Sequence, residues 1–212
     1  MVKKVCFIGP PAAGKTTLRR FFFEGIPADM LMKRQEPPSI GLKHDVYDYI
    51  FMYPVEAKKP APEKVPFKLA LVDTSGQEIE KWVTTQRKDV FGGADIIFFI
   101  FDASDWVDPA KQQYICDYIW FVLKTRNELV PSALLYILAH KYDKVEKLAG
   151  KKGDVAAARR RIAEDIKEYL FKKKELVLDP SVEITSLHKK YRHHTFSKLL
   201  DLMTDSMHEI LT

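Results

Sequence analysis

Cysteine is nearly absent from the chain, which holds only Cys6 and Cys116 among its 212 residues. With Cys6 inside an apolar, strand-like run, a disulfide framework is excluded and a reducing compartment is expected; neither thiol suggests a metal site. Long apolar runs are also missing. No stretch approaches the roughly 18 residues of a membrane span, and Met1-Val2-Lys3-Lys4 lacks the apolar segment of a secretory leader. Lipid attachment has no motif: position 2 is Val, and His208-Glu209-Ile210-Leu211-Thr212 closes the chain without a cysteine box. A cytoplasmic protein is expected, visiting a membrane only through a partner or a basic patch. A large charge excess is lacking too. The net charge is +5 and the lysines are scattered, with no aromatic-interleaved basic stripe, so nucleic acid is not an expected partner. Lys172-Lys173-Lys174 and Lys189-Lys190-Tyr191-Arg192-His193-His194 read first as solvated helix ends and loops, and second as sites for an acidic partner or anionic lipid. There is no internal repeat and no long linker. At 46% hydrophobic content, residues 1–212 suit a single α/β domain.

What is present alternates. Strand-like runs lie at Val5–Ile8, Asp45–Met52, Lys68–Asp73, Ile96–Asp102, Ala133–Ala139 and Val182–Thr185. Helical patterns lie at Lys15–Phe23, around Gln86–Phe91, and at Ala110–Leu129, Asp154–Lys174 and Thr195–Leu211, with Asp154 a candidate N-cap. Several strands are almost wholly apolar, as strands covered on both faces are. The expected fold is therefore α/β: a doubly wound, mostly parallel six-stranded sheet with helices on both faces and the ligand at the strands' C-terminal edge. Residues 53–66 carry four prolines and read as an enlarged, stiffened loop inserted between two strands.

Three motifs fall at that edge. Gly9-Pro10-Pro11-Ala12-Ala13-Gly14-Lys15-Thr16-Thr17 fits GxxxxGK(S/T) where the first strand meets the first helix. In such a loop the backbone N–H groups of Ala13, Gly14, Lys15 and Thr16 wrap a phosphate, Lys15 reaches the β- and γ-phosphates, and the Thr16 hydroxyl ligates Mg2+. Next, the apolar run Leu69–Val72 ends in DxxGQ, Asp73 to Gln77. Asp73 can hold Mg2+, the Gly76 N–H can approach a γ-phosphate, and Gln77 can orient an attacking water. Last, His140-Lys141-Tyr142-Asp143 ends another apolar strand and matches NKxD with His for Asn. A carboxylate at Asp143 can accept from both N1–H and the exocyclic amine of guanine, a donor pair adenine does not offer. Glu183-Ile184-Thr185-Ser186-Leu187 resembles the short loop whose backbone N–H meets guanine O6.

In this order and spacing the motifs resemble those of the Ras-like small GTPases over essentially the whole chain. Within that superfamily the likeness is nearest to the Rag/Gtr branch, on HKxD, on Thr85-Gln86-Arg87-Lys88-Asp89-Val90-Phe91 and on Thr185-Ser186; a divergent or archaeal-type relative is the other reading. The resemblance implies GTP and GDP as ligands, Mg2+ as cofactor, and effector, exchange-factor and GAP proteins as partners. It assigns Lys15 and Gln77 to catalysis, and Gly9, Ala12, Ala13, Gly14, Lys15, Thr16, Thr17, Ser39 and Gly76 to the phosphates. Guanine falls to His140, Lys141, Asp143, Ser186 and Leu187, and the metal to Thr16, Ser39 and Asp73. Rag/Gtr proteins carry a further C-terminal dimerisation domain that residues 1–212 do not include, so their obligate pairing is not an expectation of the resemblance.

Departures bear on rate. No Thr lies between Phe23 and Phe51, which leaves Ser39, in Pro37-Pro38-Ser39-Ile40-Gly41, as the first-switch hydroxyl. Pro10 and Pro11 remove two N–H groups from the phosphate loop, and Pro11 falls close to where Gln77 must work. Slow or partner-dependent hydrolysis is expected. Arg34 is a candidate arginine finger in cis, with a solvated surface arginine the plainer reading. A GTP-binding scaffold that does not hydrolyse and a nucleotide kinase are the rival functions; the kinase needs neither DxxGQ nor HKxD.

Overall fold

The computed structural model describes residues 2–33, 41–53, 63–74, 76–145, 154–177 and 179–211, with 2, 42–53, 63–69, 77 and 207–211 described by their backbone alone. The chain runs β1 (Val2–Ile8), α1 (Lys15–Phe23), α2 (Ala28–Lys33), β2 (Leu42–Tyr53), β3 (Glu63–Thr74), a 3-10 turn Gly76–Glu78, α3 (Ile79–Val83), α4 (Arg87–Phe91) and β4 (Ile96–Asp102). A second 3-10 turn, Ala103–Val107, leads into α5 (Pro109–Leu129), then β5 (Leu134–His140), a turn Tyr142–Lys144, α6 (Val155–Lys174), β6 (Val182–Ile184) and α7 (Arg192–Leu211). The sheet has six strands in the order β2-β3-β1-β4-β5-β6. All neighbours are parallel except β2 on β3.

β4 explains the two-sided core. All seven of its residues are buried, so its alternating side chains must feed two layers. Ile97, Phe99 and Phe101 pack on one face with residues from α3, α4, α5 and α6; Ile96, Phe98 and Ile100 pack on the other with Leu18 of α1, Leu31 of α2 and Leu199 of α7. Both cysteines are buried thiols. Burial pushes each up to about 12, so neither is a thiolate near neutral pH.

The helix starts are chemically specified. Asp108 caps α5 by accepting from the N–H groups of Ala110 and Lys111, ahead of Pro109 in the first turn. Asp154 caps α6 by accepting from Ala157 N–H at 2.9 Å.

Three features depart from the sequence expectation. Helices α2 and α3 were not expected; at six and five residues they are too short to register a helical period. The β2–β3 ladder continues from Tyr53 to Glu63, so both ends of the 53–66 segment belong to strands, and the span between them, 54–62, lies outside the described residues. Pro66 is tolerated in β3 because β1 joins β3 from Lys68 onward, leaving β2 as its one strand neighbour among the described residues. Finally, β6 stops at Ile184, one residue before the predicted end, and frees Thr185 for the site.

Candidate functional site

Order reverses at β1, which has β3 on one side and β4 on the other, and the glycine loop leaves the sheet there. Gly9 has φ +150°, and a Cβ on it would lie 1.9 Å from the Ile100 carbonyl oxygen of β4. Only glycine lets the loop lie this close to the strand. Ala12 and Gly14 then adopt left-handed backbone, φ 57° and 93°, and Gly14 opens α1. Alternating handedness of this kind points successive N–H groups into one hollow, next to a helix N-terminus, which is an anion cradle. Ala13 is buried beneath it in the core, and Thr17 is half-buried on the helix.

The Lys15 ammonium donates to the carbonyls of Gly9 and Pro10, each at 2.8 Å. Two of its three protons are thereby fixed on the loop, and the third can meet a phosphate oxygen. Burial lowers this amine from 10.5 to about 8, with Asp73 opposing the shift and Lys141 adding to it.

Thr16 Oγ1 donates to Asp73 Oδ2 at 2.6 Å, joining the first turn of α1 to the end of β3. Hydroxyl and carboxylate are hard oxygen donors, the kind Mg2+ takes in small number before completing its shell with water and phosphate. Among the described residues no group of three or more His, Cys, Asp or Glu gathers that could hold a metal ion. Arg19, one turn along α1, lies with Nε 3.5 Å from the same Asp73 oxygen. Thr74 ties β3 back to β1 by donating to the Phe7 carbonyl at 2.9 Å.

Gly76 begins the turn after β3 and presses on the two prolines: a Cβ there would sit 2.4 Å from Pro11 N and 2.6 Å from the Pro10 carbonyl carbon. Pro11 thus meets this turn at Gly76; its expected closeness to the working position of Gln77 falls on a side chain outside the described residues. Gln77 is the middle residue of that 3-10 turn, with its side chain outside the described residues. Ser39 and Arg34 lie wholly outside them.

The third motif lies across the loop from the second. His140 closes β5, is 2% exposed, and shares a hydrogen bond with Thr185 Oγ1 through Nδ1 at 3.0 Å. Burial lowers its imidazole from 6.5 to about 4, with Lys141's charge adding to the shift and Asp102 and Asp143 opposing it. The ring is therefore neutral, and its edge fills the space over Gly14, where a Cβ would lie 2.7 Å from His140 Cδ2. Lys141, at φ 59°, spans the crevice and donates to the Ala12 carbonyl and, at 3.0 Å, to Asp102 Oδ2. Lys144 reaches the same Asp102 oxygen at 3.0 Å. Burial would raise the Asp102 carboxyl, but the Ser104 hydroxyl and N–H together with Lys141 outweigh it and bring it to about 2.

Asp143 accepts from the Ser186 hydroxyl. The Ser186 N–H is engaged elsewhere, donating to Thr195 Oγ1 at 2.8 Å, so Ser186 enters the site through its hydroxyl. The Leu187 side chain is core, packed among residues of α1 and α7, which leaves its backbone as the part that can face a base.

The sheet edge thus gathers Gly9, Ala12, Gly14, Lys15, Thr16, Asp73, Gly76, His140, Lys141, Asp143 and Ser186 from segments far apart in sequence. Sequence reading missed Arg19, Asp102, Thr185 as a side-chain partner, and Thr195. Arg19 carried a usable signal: it stands three residues after Thr16 and four after Lys15, on the same helical face. The others had none, since a strand-end Asp and a helical Thr are commonplace.

The sequence matches the family model described as Gtr1/RagA G protein conserved region over residues 4–211. No curated protein matches it. Among solved structures it is similar to a chain of the mammalian SRP receptor, with TM-score 0.59 and 15% identity, covering 96% of this chain and 100% of that one. At that identity the likeness is one of fold.

Proposed function

The chain belongs to the Gtr1/RagA G protein family and is a GTP-binding GTPase by that membership; from this premise we propose that it is a Mg2+-dependent molecular switch with slow intrinsic GTP hydrolysis. One observation carries the reading. Lys141 of the base-recognition segment donates to Ala12 of the phosphate loop, 129 residues away in sequence, so the two halves of a nucleotide site are fastened together. Asp143 with Ser186 is the guanine end, and the loop from Gly9 to Thr17 is the phosphate end.

In this reading Lys15, already held by two loop carbonyls, presents its remaining proton to the β- and γ-phosphates. Thr16, Ser39 and Asp73 would hold Mg2+, which when bound would neutralise phosphate charge. Gln77 orients the attacking water, and Gly76 N–H and the Ser39 hydroxyl respond to the γ-phosphate, so the segments around Ser39 and Gln77 differ between the two nucleotide states and are read by effectors. Pro10 and Pro11, packed against Gly76, stiffen the cradle beside the water's path. Unassisted turnover on the order of 10^-4 to 10^-2 per second is expected, with acceleration by a GAP. No spanning helix occurs among the described residues, and any membrane contact is assigned to a partner or a basic patch.

The test is the nucleotide released on denaturing protein purified without added ligand, followed by single-turnover hydrolysis of GTP with Mg2+ in wild type and Gln77→Leu. GDP in the pool and slow turnover lost in the variant support the switch. GTP retained by both favours a scaffold that binds without hydrolysing, and an adenine nucleotide overturns the role given to Asp143.

A further inference from the structure

We propose that Arg19 is a built-in counter-cation for Asp73, a positioning residue that competes with Mg2+ for this carboxylate and lets the protein keep its nucleotide when Mg2+ is scarce. The inference rests on the reading that Thr16 and Asp73 hold the metal. Asp73 is 1% exposed and Arg19 6%, so both charges are removed from water and each requires compensation close by. The spacing on α1 supplies it. Thr16 and Arg19 are one helical turn apart, and both converge on Asp73 Oδ2, the hydroxyl at 2.6 Å and the guanidinium Nε at 3.5 Å. The guanidinium has a second anchor, since its Nη1 lies 3.0 Å from Glu24 Oε1, beyond the end of α1. Glu24 is the more exposed of the two carboxylates and also receives Arg20 at 3.2 Å.

Arginine does not deprotonate in a protein, so this positive charge is permanent. A divalent cation approaching Asp73 meets a carboxylate whose charge is already balanced, and must displace the guanidinium toward Glu24 to gain full attraction. The metal is therefore held less tightly than a lone buried Asp would hold it. The converse matters as much: with the metal removed, Asp73 is not a bare negative charge facing the nucleotide phosphates, because Arg19 still screens it.

The experiment follows release of a fluorescent GDP analogue from wild type, Arg19→Met, Arg19→Lys and Glu24→Gln, across a MgCl2 titration and in EDTA. Folding of each variant is checked by circular dichroism. In Arg19→Met the Mg2+ concentration that half-maximally slows release is expected to fall about tenfold, the worth of one contact to a charged group. EDTA should then accelerate release more than in wild type. Arg19→Lys should return both quantities toward wild type. Glu24→Gln, which removes the competing anchor and concentrates Arg19 on Asp73, should move the half-point in the opposite direction by roughly two- to threefold. Glu24→Gln changes an exposed residue at the end of α1 and keeps the proposal testable should Arg19→Met not fold. Mg2+-dependent release in wild type with no shift in the variants, or with both shifts reversed, overturns the role of Arg19 alone. Release indifferent to Mg2+ in wild type and variants alike overturns the metal reading of Thr16 and Asp73, and this proposal with it.

Discussion

His140 is a buried neutral imidazole standing where the NKxD pattern has an amide, and its surroundings make it a liability in acid. Its folded value of about 4 lies below the ordinary 6.5, so between those values the unfolded chain binds the proton more readily than the folded one. Stability tied to this residue is complete above the ordinary value and is lost as pH falls toward the folded one, by roughly 2 kcal/mol at about pH 5. Urea unfolding of wild type should become easier across that window, while His140→Asn, which has nothing to titrate, should flatten the dependence; an unchanged slope would remove His140 as its source. Gly14 is the neighbouring test. A side chain there meets both a left-handed φ of 93° and the His140 ring edge at 2.7 Å, so Gly14→Ala should cost about 2 kcal/mol or more, read as a lowered urea midpoint and weakened GDP binding. At this scale the sequence was most legible where chemistry is spelled by consecutive residues, as in the phosphate loop and HKxD. It was least legible where a partner arrives from elsewhere, as Asp102 does at Lys141 and Thr195 at Ser186, because no local pattern announces a long-range contact.

Among the elements, α7 carries a role its amphipathic pattern does not reveal. Thr195, in its first turn, accepts from Ser186 N–H and donates to the Ser186 carbonyl, both at 2.8 Å, and so clamps the loop after β6 to the helix. Replacing the hydroxyl by a methyl in Thr195→Val leaves two buried backbone groups without a partner. A loss of about 2–4 kcal/mol is expected, together with faster release of GDP, since the loop that carries Ser186 is no longer held. Equilibrium unfolding and stopped-flow release measure the two effects separately, and a variant that unfolds earlier but releases GDP at the wild-type rate would deny the clamp its role in binding. The long helices α5 and α6 were readable because each spans several turns and starts at a capping Asp. By contrast α2 and α3 are single-turn pieces fixed by tertiary packing, Leu31 on one face of the sheet and Trp82 and Val83 on the other. The reach of the β2–β3 ladder was hidden for a related reason: proline at position 66 argues against a strand unless one knows that, among the described residues, β3 has one strand neighbour there.

At the scale of the molecule, the proposed nucleotide site couples to the core because its described residues lie at or next to the ends of elements that build the two hydrophobic layers. The phosphate loop links β1 to α1, Asp73 ends β3, His140 ends β5, and Ser186 follows β6, while Ile100 of β4 supports Gly9 from beneath. Binding should therefore stabilise the whole cooperative unit. At a ligand concentration one hundred times Kd the added stability is about 2.7 kcal/mol, which for a domain of this size raises Tm by roughly 5–10 °C. Under the proposed role of Asp143 the effect is selective: GDP offers the paired N–H donors that the carboxylate would accept, and ADP does not. Thermal melts with Mg2+ should then rise with GDP concentration and stay flat with ADP in wild type, whereas in Asp143→Ala the GDP curve should drop to that of ADP. Equal stabilisation by the two nucleotides in wild type would mean that binding rests on the phosphate loop alone, and Asp143 with Ser186 would have to be reassigned to holding the β5 and β6 ends together.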